Sequence, residues 1–146
     1  MAVADRTAAL GDVSRWELLR APATMVGGLA LASAALYARD PHVPGSWGVC
    51  PSLALFGVYC PGCGGLRAVN DLTHLDVAAA ASSNLLFVAF LPMIAWVTAR
   101  WVVASWRGEH YVPRRLESAP FYIGLVGLMV VFMVVRNLSF GSWLAP

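Results

Sequence analysis

The chain contains no lysine, and all ten of its basic residues are arginine. Charge of either sign is scarce: 12% of residues are charged and 59% are hydrophobic, against about 25% and 45 to 50% for a soluble domain. That deficit excludes a water-coated globule. The arginines are scattered rather than clustered, which excludes the electrostatic footprint of a nucleic-acid-binding protein. No Ser-His-Asp grouping, phosphate-binding loop or pair of neighbouring carboxylates is present, so the common hydrolytic and nucleotide chemistries have no complete residue set. Cysteine is also rare, and all three cysteines fall between positions 50 and 63.

What remains is a chain of 146 residues, enough for one domain, dominated by uncharged runs. Arg20 and Arg39 enclose 18 uncharged residues, Asp76 and Arg100 enclose 23, and Glu117 and Arg136 enclose 18 more. Each run can cross about 30 Å of hydrocarbon as a helix rising about 1.5 Å per residue. Backbone groups in lipid must be paired within their own segment, so each run is expected to be helical. The spacing predicts an all-α integral membrane protein: a tail over 1–20, then one membrane domain over 21–146 with spanning helices at about 21–38, 77–106 and 118–136. Its main partner is the lipid bilayer, with other membrane proteins as candidate partners and no nucleic acid. Gly28 with Ala32, and Gly124 with Gly127, have the spacing that lets helices approach closely. Ala32-Ser33-Ala34 has the small-residue pattern of a signal cleavage site, although the charged tail is long for a signal and two further spans follow.

The uncharged stretch 41–66 is different. Its prolines at 41, 44, 51 and 61 and its six glycines oppose a continuous helix, so a Pro/Gly/Cys-rich loop over 39–76 is expected, with residues 53–59 dipping toward the bilayer surface. After Gly64 and Gly65 a breaker-free stretch places Leu66, Val69, Leu72 and Thr73 on one face of a short amphipathic helix. Seven arginines, Arg6, Arg15, Arg20, Arg100, Arg107, Arg114 and Arg115, fall on one side of this topology, and Arg39, Arg67 and Arg136 on the other. The arginine bias puts the N-terminus in the cytoplasm and the motif loop outside. Trp96, Trp101 and Trp106 then form an interfacial belt. Asp76 is placed to cap helix 77–106, Pro92 to kink it, and Ser82, Ser83 and Asn84 to bond the folded loop. Arg136 is expected to snorkel or to pair with Asp71 or Asp76.

The cysteines admit three readings. In the structural one, Cys50 pairs with Cys60 or Cys63 in an oxidising compartment and closes the loop. In the redox one, Cys60 and Cys63 form a Cys-x-x-Cys pair with Cys50 as relay. Cys63 then sits at a helix N-terminus with Arg67 over the same face, and both lower a thiol pKa; a quinone or partner protein would carry the electrons. In the third, Cys60-Pro61-Gly62-Cys63-Gly64 is a zinc knuckle, with Cys50 and His74 completing a Cys3His site. His42 and His110 lie on opposite sides of the membrane and cannot share a site. The structural reading leads, and it predicts no cofactor.

Cys50 with Pro51, the run Cys60-Pro61-Gly62-Cys63-Gly64-Gly65-Leu66-Arg67-Ala68, then Leu72, His74, Asp76 and the alanine-rich entry into Ser83-Asn84-Leu85-Leu86 together resemble a bacterial membrane-protein family catalogued as domain of unknown function 2752. That family's pattern runs Cys-Pro-x-Cys-Gly-x-Thr-Arg-Ala, then a Gly-Asp pair and Asn-Pro-Leu. The resemblance covers about residues 47–99, with Arg136, Asn137 and the 143–146 tail also family-like. It implies a small multi-pass protein of the bacterial inner membrane and carries no established biochemistry. Leu66 stands in place of the family's threonine, Leu75 in place of the glycine and Leu85 in place of the proline. The composite expectation is a non-enzymatic accessory or interaction module with a cysteine-pinned outer loop.

Overall fold

The computed structural model describes residues 14–111, 113 and 118–145. Every regular element among the described residues is a helix, with no strand. The helices are α1 (Arg15–Ala38), α2 (Pro51–Phe56), α3 (Gly65–Thr73), α4 (Val77–Arg107) and α5 (Ala119–Arg136), followed by a 3₁₀ helix, Ser139–Leu144. Of these, α1, α4 and α5 are long and apolar enough to cross a membrane. Arg6, Arg114 and Arg115, on which the orientation expectation partly rests, lie outside the described residues.

Helix α1 begins earlier than the uncharged run does. Ser14 Oγ accepts from Glu17 N at 3.4 Å while Ser14 N donates to Glu17 Oε2 at 3.1 Å, a capping box that satisfies orphan amides at both residues. Charge ends a hydrophobic run but does not end a helix, so Arg15, Glu17 and Arg20 are helical. Pro51 starts α2 rather than breaking it, because at the first helical position its missing N–H costs nothing; Gly57 closes the helix at φ 66°.

Helix α3 buries Ala68, Asn70 and Asp71, and its Leu66 is exposed. The expected apolar face is therefore not the packed one. The polar face packs because it has partners: Asn70 Nδ2 donates to the Leu36 carbonyl at 2.8 Å, and Ser83 Oγ to Asp71 Oδ2 at 2.8 Å. Asp76 caps α4 as expected, accepting from Ala79 N at 2.8 Å. The helical dihedrals of α4 break at Asn84 (φ −158°, ψ 91°) rather than at Pro92. Asn84 Oδ1 accepts from Phe87 N at 3.0 Å, so it acts as an N-cap inside the span and starts a second helical segment.

Helix α4 packs on α1 and α3, and the 3₁₀ helix bridges α5 to α4. A Cβ placed on Gly28, Gly124 or Gly127 would meet nothing within 4 Å, so these small residues do not mark helix contacts inside this chain. Trp96 and Trp106 are exposed, and Arg100 lies over the Trp96 ring at 5.8 Å. The loop, α2, α3, the start of α4, the end of α5 and the 3₁₀ helix all meet at one end of the bundle.

Candidate functional site

The cysteine turn is built from the backbone upward. Cys63 N donates to the Cys60 carbonyl at 3.1 Å and Gly65 N to the Gly62 carbonyl at 3.0 Å. Gly64 holds φ 82° and caps α3, a conformation that glycine adopts without steric cost. This winding turns both sulfurs inward and the carbonyls outward. Each outward carbonyl is taken by a spanning helix. Asn84 Nδ2 donates to Pro61 O at 2.9 Å and to Cys63 O at 3.1 Å. Arg136 Nη1 donates to Cys60 O at 2.9 Å and to Cys63 O at 3.1 Å, and Nη2 to Leu144 O at 2.9 Å. Asn137 binds both main-chain polar groups of Tyr59, each at 2.9 Å.

Cys50 reaches the turn from the start of α2. The Sγ atoms of Cys50 and Cys60 are 3.5 Å apart and those of Cys60 and Cys63 3.2 Å; all three sulfurs lie within 4.8 Å of one another. A disulfide needs about 2.05 Å, so the pairing of Cys50 with Cys60 or Cys63 is not formed and the three thiols are free. A tetrahedral zinc with Zn–S near 2.3 Å sets its sulfurs about 3.8 Å apart, a little wider than the 3.5 and 3.2 Å found here. All three cysteines line a cavity of about 620 Å³ that also touches Trp47, Tyr59 and Arg67.

The thiols differ in their surroundings. Cys50 is drawn down to about 6, first by the Ser52 hydroxyl 3.0 Å from its sulfur and then by the neighbouring thiol of Cys63. Burial pushes Cys63 up to about 12. The expected lowering of Cys63 at a helix N-terminus is thus reversed: α3 starts two residues later, and the sulfur is buried.

His74 does not join the sulfurs. Its ring stacks on Tyr37 with centroids 4.7 Å apart, and its Nδ1 lies 2.9 Å from the Asn70 carbonyl. The Cys3His set is thereby corrected to three cysteines. Arg67 lines the cavity, but the bond it makes is from Nε to the Pro41 carbonyl at 3.4 Å. Arg136 neither snorkels nor meets Asp71 or Asp76; it is 1% exposed, with its guanidinium 4.9 Å from the Phe132 ring centroid. Asp71 instead bonds Ser83 and lies 3.3 Å from His42 Nε2, whose Nδ1 is 2.8 Å from Asp40. Asp40 is held below the usual carboxylate range, first by the His42 amide and then by the His42 ring. Sequence reasoning missed Ser52 and the role of His42, and noted Asn137 beside Arg136 as family-like without a partner for it.

Leu75 has φ 63°, the one positive φ at a non-glycine among the described residues. The family's glycine at that position answers to this backbone. Leu85, where the family has proline, is the first residue after the Asn84 cap, a position proline suits.

No curated protein and no solved structure matches the chain. Residues 50–98, which run from Cys50 through α3 and past the Asn84 interruption and make up about a third of the chain, match the model of the family described as a protein of unknown function (DUF2752).

Proposed function

We propose that the motif segment is a membrane-anchored, three-thiolate site for a divalent metal ion, zinc being the first candidate, on the extracytoplasmic face to which the arginine distribution assigns the loop. The observation that carries this reading is the convergence of three sulfurs within 4.8 Å about a backbone turn whose Cys60, Pro61 and Cys63 carbonyls are held by Asn84 and Arg136. Binding forms three S–metal bonds and releases to solvent the protons of those sulfurs that still carry S–H. The three cysteines line the cavity, so an ion held by them would be open to a further ligand, as at a site that takes or exchanges one rather than only stapling a fold. The chain then serves as an accessory module of a membrane assembly. The outward glycines of α1 and α5, against which nothing packs, leave room for helices of a partner.

The test is metal uptake by the full chain in lipid nanodiscs. Metal-free protein should retain one zinc per chain, and cobalt should give the intense thiolate-to-metal absorption. Cys50→Ser, Cys60→Ser and Cys63→Ser should each lose most of it, while His74→Ala should retain it. Retention of the ion by a chain lacking all three cysteines, or no retention by the wild type, overturns the reading.

The contrast between Cys50 and Cys63 favours one second reading, thiol-disulfide exchange. The Cys50 thiolate attacks a partner's disulfide and Cys60 resolves the mixed disulfide. Two electrons thus pass to the partner's sulfurs, a Cys50–Cys60 bond forms, and a carrier such as a quinone has no part in that half-reaction. Alkylation and mass spectrometry separate the two readings: thiols protected until a chelator is added support metal, and an equilibrium that follows the surrounding redox buffer supports exchange.

A further inference from the structure

We infer that Arg136 is the fixed counter-charge of the thiolate cluster, a positioning residue that makes the metal-thiolate state favourable over the disulfide. This inference rests on the metal-site reading and adds to it the reason the cluster stays reduced. Arg136 is 1% exposed, and among the described residues its Nε is buried with no hydrogen-bond partner. Its other nitrogens donate to the carbonyls of Cys60, Cys63 and Leu144. Among the described residues both ion pairs run through His42, and neither reaches Arg136. A buried guanidinium without an anion is strongly unfavourable, and carbonyl oxygens supply dipoles but no net charge.

The facing groups that can carry negative charge are the thiols of Cys63 and Cys60, with Tyr59 beyond them, and Arg136 sits on the back of the turn that presents these sulfurs. Charge then decides between states of the cluster. Three thiolates around a divalent ion sum to one negative charge, which Arg136 neutralises. One disulfide and one thiol sum to none and leave the guanidinium uncompensated. Loading a divalent ion therefore works with Arg136, and oxidation forgoes that neutralisation. In the oxidation step two thiols lose two protons and two electrons to an oxidant such as glutathione disulfide, which leaves as two thiols. In the loading step no electron moves.

The experiment is zinc competition against a chromophoric chelator on the full chain in nanodiscs. Arg136→Gln should bind zinc about 10 to 100 times more weakly, the usual effect of losing a group that supports metal ligands. Arg136→Lys keeps the charge but loses the planar fork, and it should stay within about threefold of wild type if charge is what matters. Asn84→Ala, which removes a neutral donor from the same Cys63 carbonyl, should cost less than Arg136→Gln. In a glutathione buffer with zinc present, the Arg136→Gln protein should also go over to its disulfide at a lower oxidant ratio than Arg136→Lys. Lysine failing as badly as glutamine, or glutamine binding as wild type, overturns the inference and leaves the metal site standing. If Arg136→Gln does not reach the membrane, Arg136→Lys against wild type decides in the same assay. A wild-type chain that takes up no zinc removes both.

Discussion

Asn84 and Arg136, on two different spanning helices, donate to the same main-chain oxygen, that of Cys63, each at 3.1 Å. The sulfur turn is therefore clamped from two sides through its backbone, and its side chains remain free for chemistry.

Asn84 combines two roles that substitution separates. Asn84→Asp keeps the oxygen that caps Phe87 N but loses the donor to Pro61 and Cys63; Asn84→Ala loses both. Alanine should destabilise the protein by about 2 to 4 kcal/mol, summing a lost cap and buried carbonyls left unpaired, with aspartate between alanine and wild type. Thermal unfolding in detergent, followed by helical circular dichroism, gives the order.

Leu75 occupies a left-handed backbone with its side chain exposed, so its removal takes away strain and little packing. Leu75→Gly should raise stability by about 1 kcal/mol, and Leu75→Val should lower it, because branching at Cβ worsens the same clash. Unfolding midpoints of the two variants should fall on opposite sides of wild type.

The thiols should titrate apart in metal-free protein. Cys50, with a folded value of about 6 against an ordinary 9.0, is ionised at neutral pH. Its contribution to stability is complete above 9 and is lost as pH falls through 6. Cys63, raised to about 12, has the opposite sign: its contribution is present below 9 and is lost as pH rises through 12. Iodoacetamide at pH 7 with chelator should label Cys50 first and Cys63 last, with the Cys50 rate falling by about half at pH 6. Peptide mass spectrometry reads the order.

Ser83→Ala leaves the buried Asp71 carboxylate without its hydroxyl donor and should cost about 1 to 2 kcal/mol. Ser83→Thr, which restores a hydroxyl, should recover most of it. Equal loss in both variants would show that side-chain size, not the hydrogen bond, matters at this contact.

The spans were legible because lipid imposes one rule on every residue they contain: an uncharged run long enough to cross must be helical. The Asp76 cap and the helix after Gly64 were legible for the same local reason, since each is set by residues within one turn. The break at Asn84 was not. The polar triplet at 82–84 reads as a group that bonds the folded loop, as Ser83 and Asn84 do, but nothing in it signals a loss of helical dihedrals, and Pro92 draws the expectation of a kink. Asn84 leaves the helical conformation because carbonyls some 20 residues earlier in the chain are close enough to bind, and sequence spacing does not encode that approach. His74 failed as a ligand for a similar reason: the chain brings Tyr37 to its ring and turns it from the sulfurs. Arg136 reads as a flexible end-of-helix charge until the turn folds over it.

The interruption in α4 divides it into a short piece tied to α3 through Ser83 and Asp71 and a long arm lying in the apolar region. The joint between them is the residue that grips the cysteine turn. A change in the tilt of the long arm would therefore reach the backbone of the cysteine turn first, through the Asn84 amide.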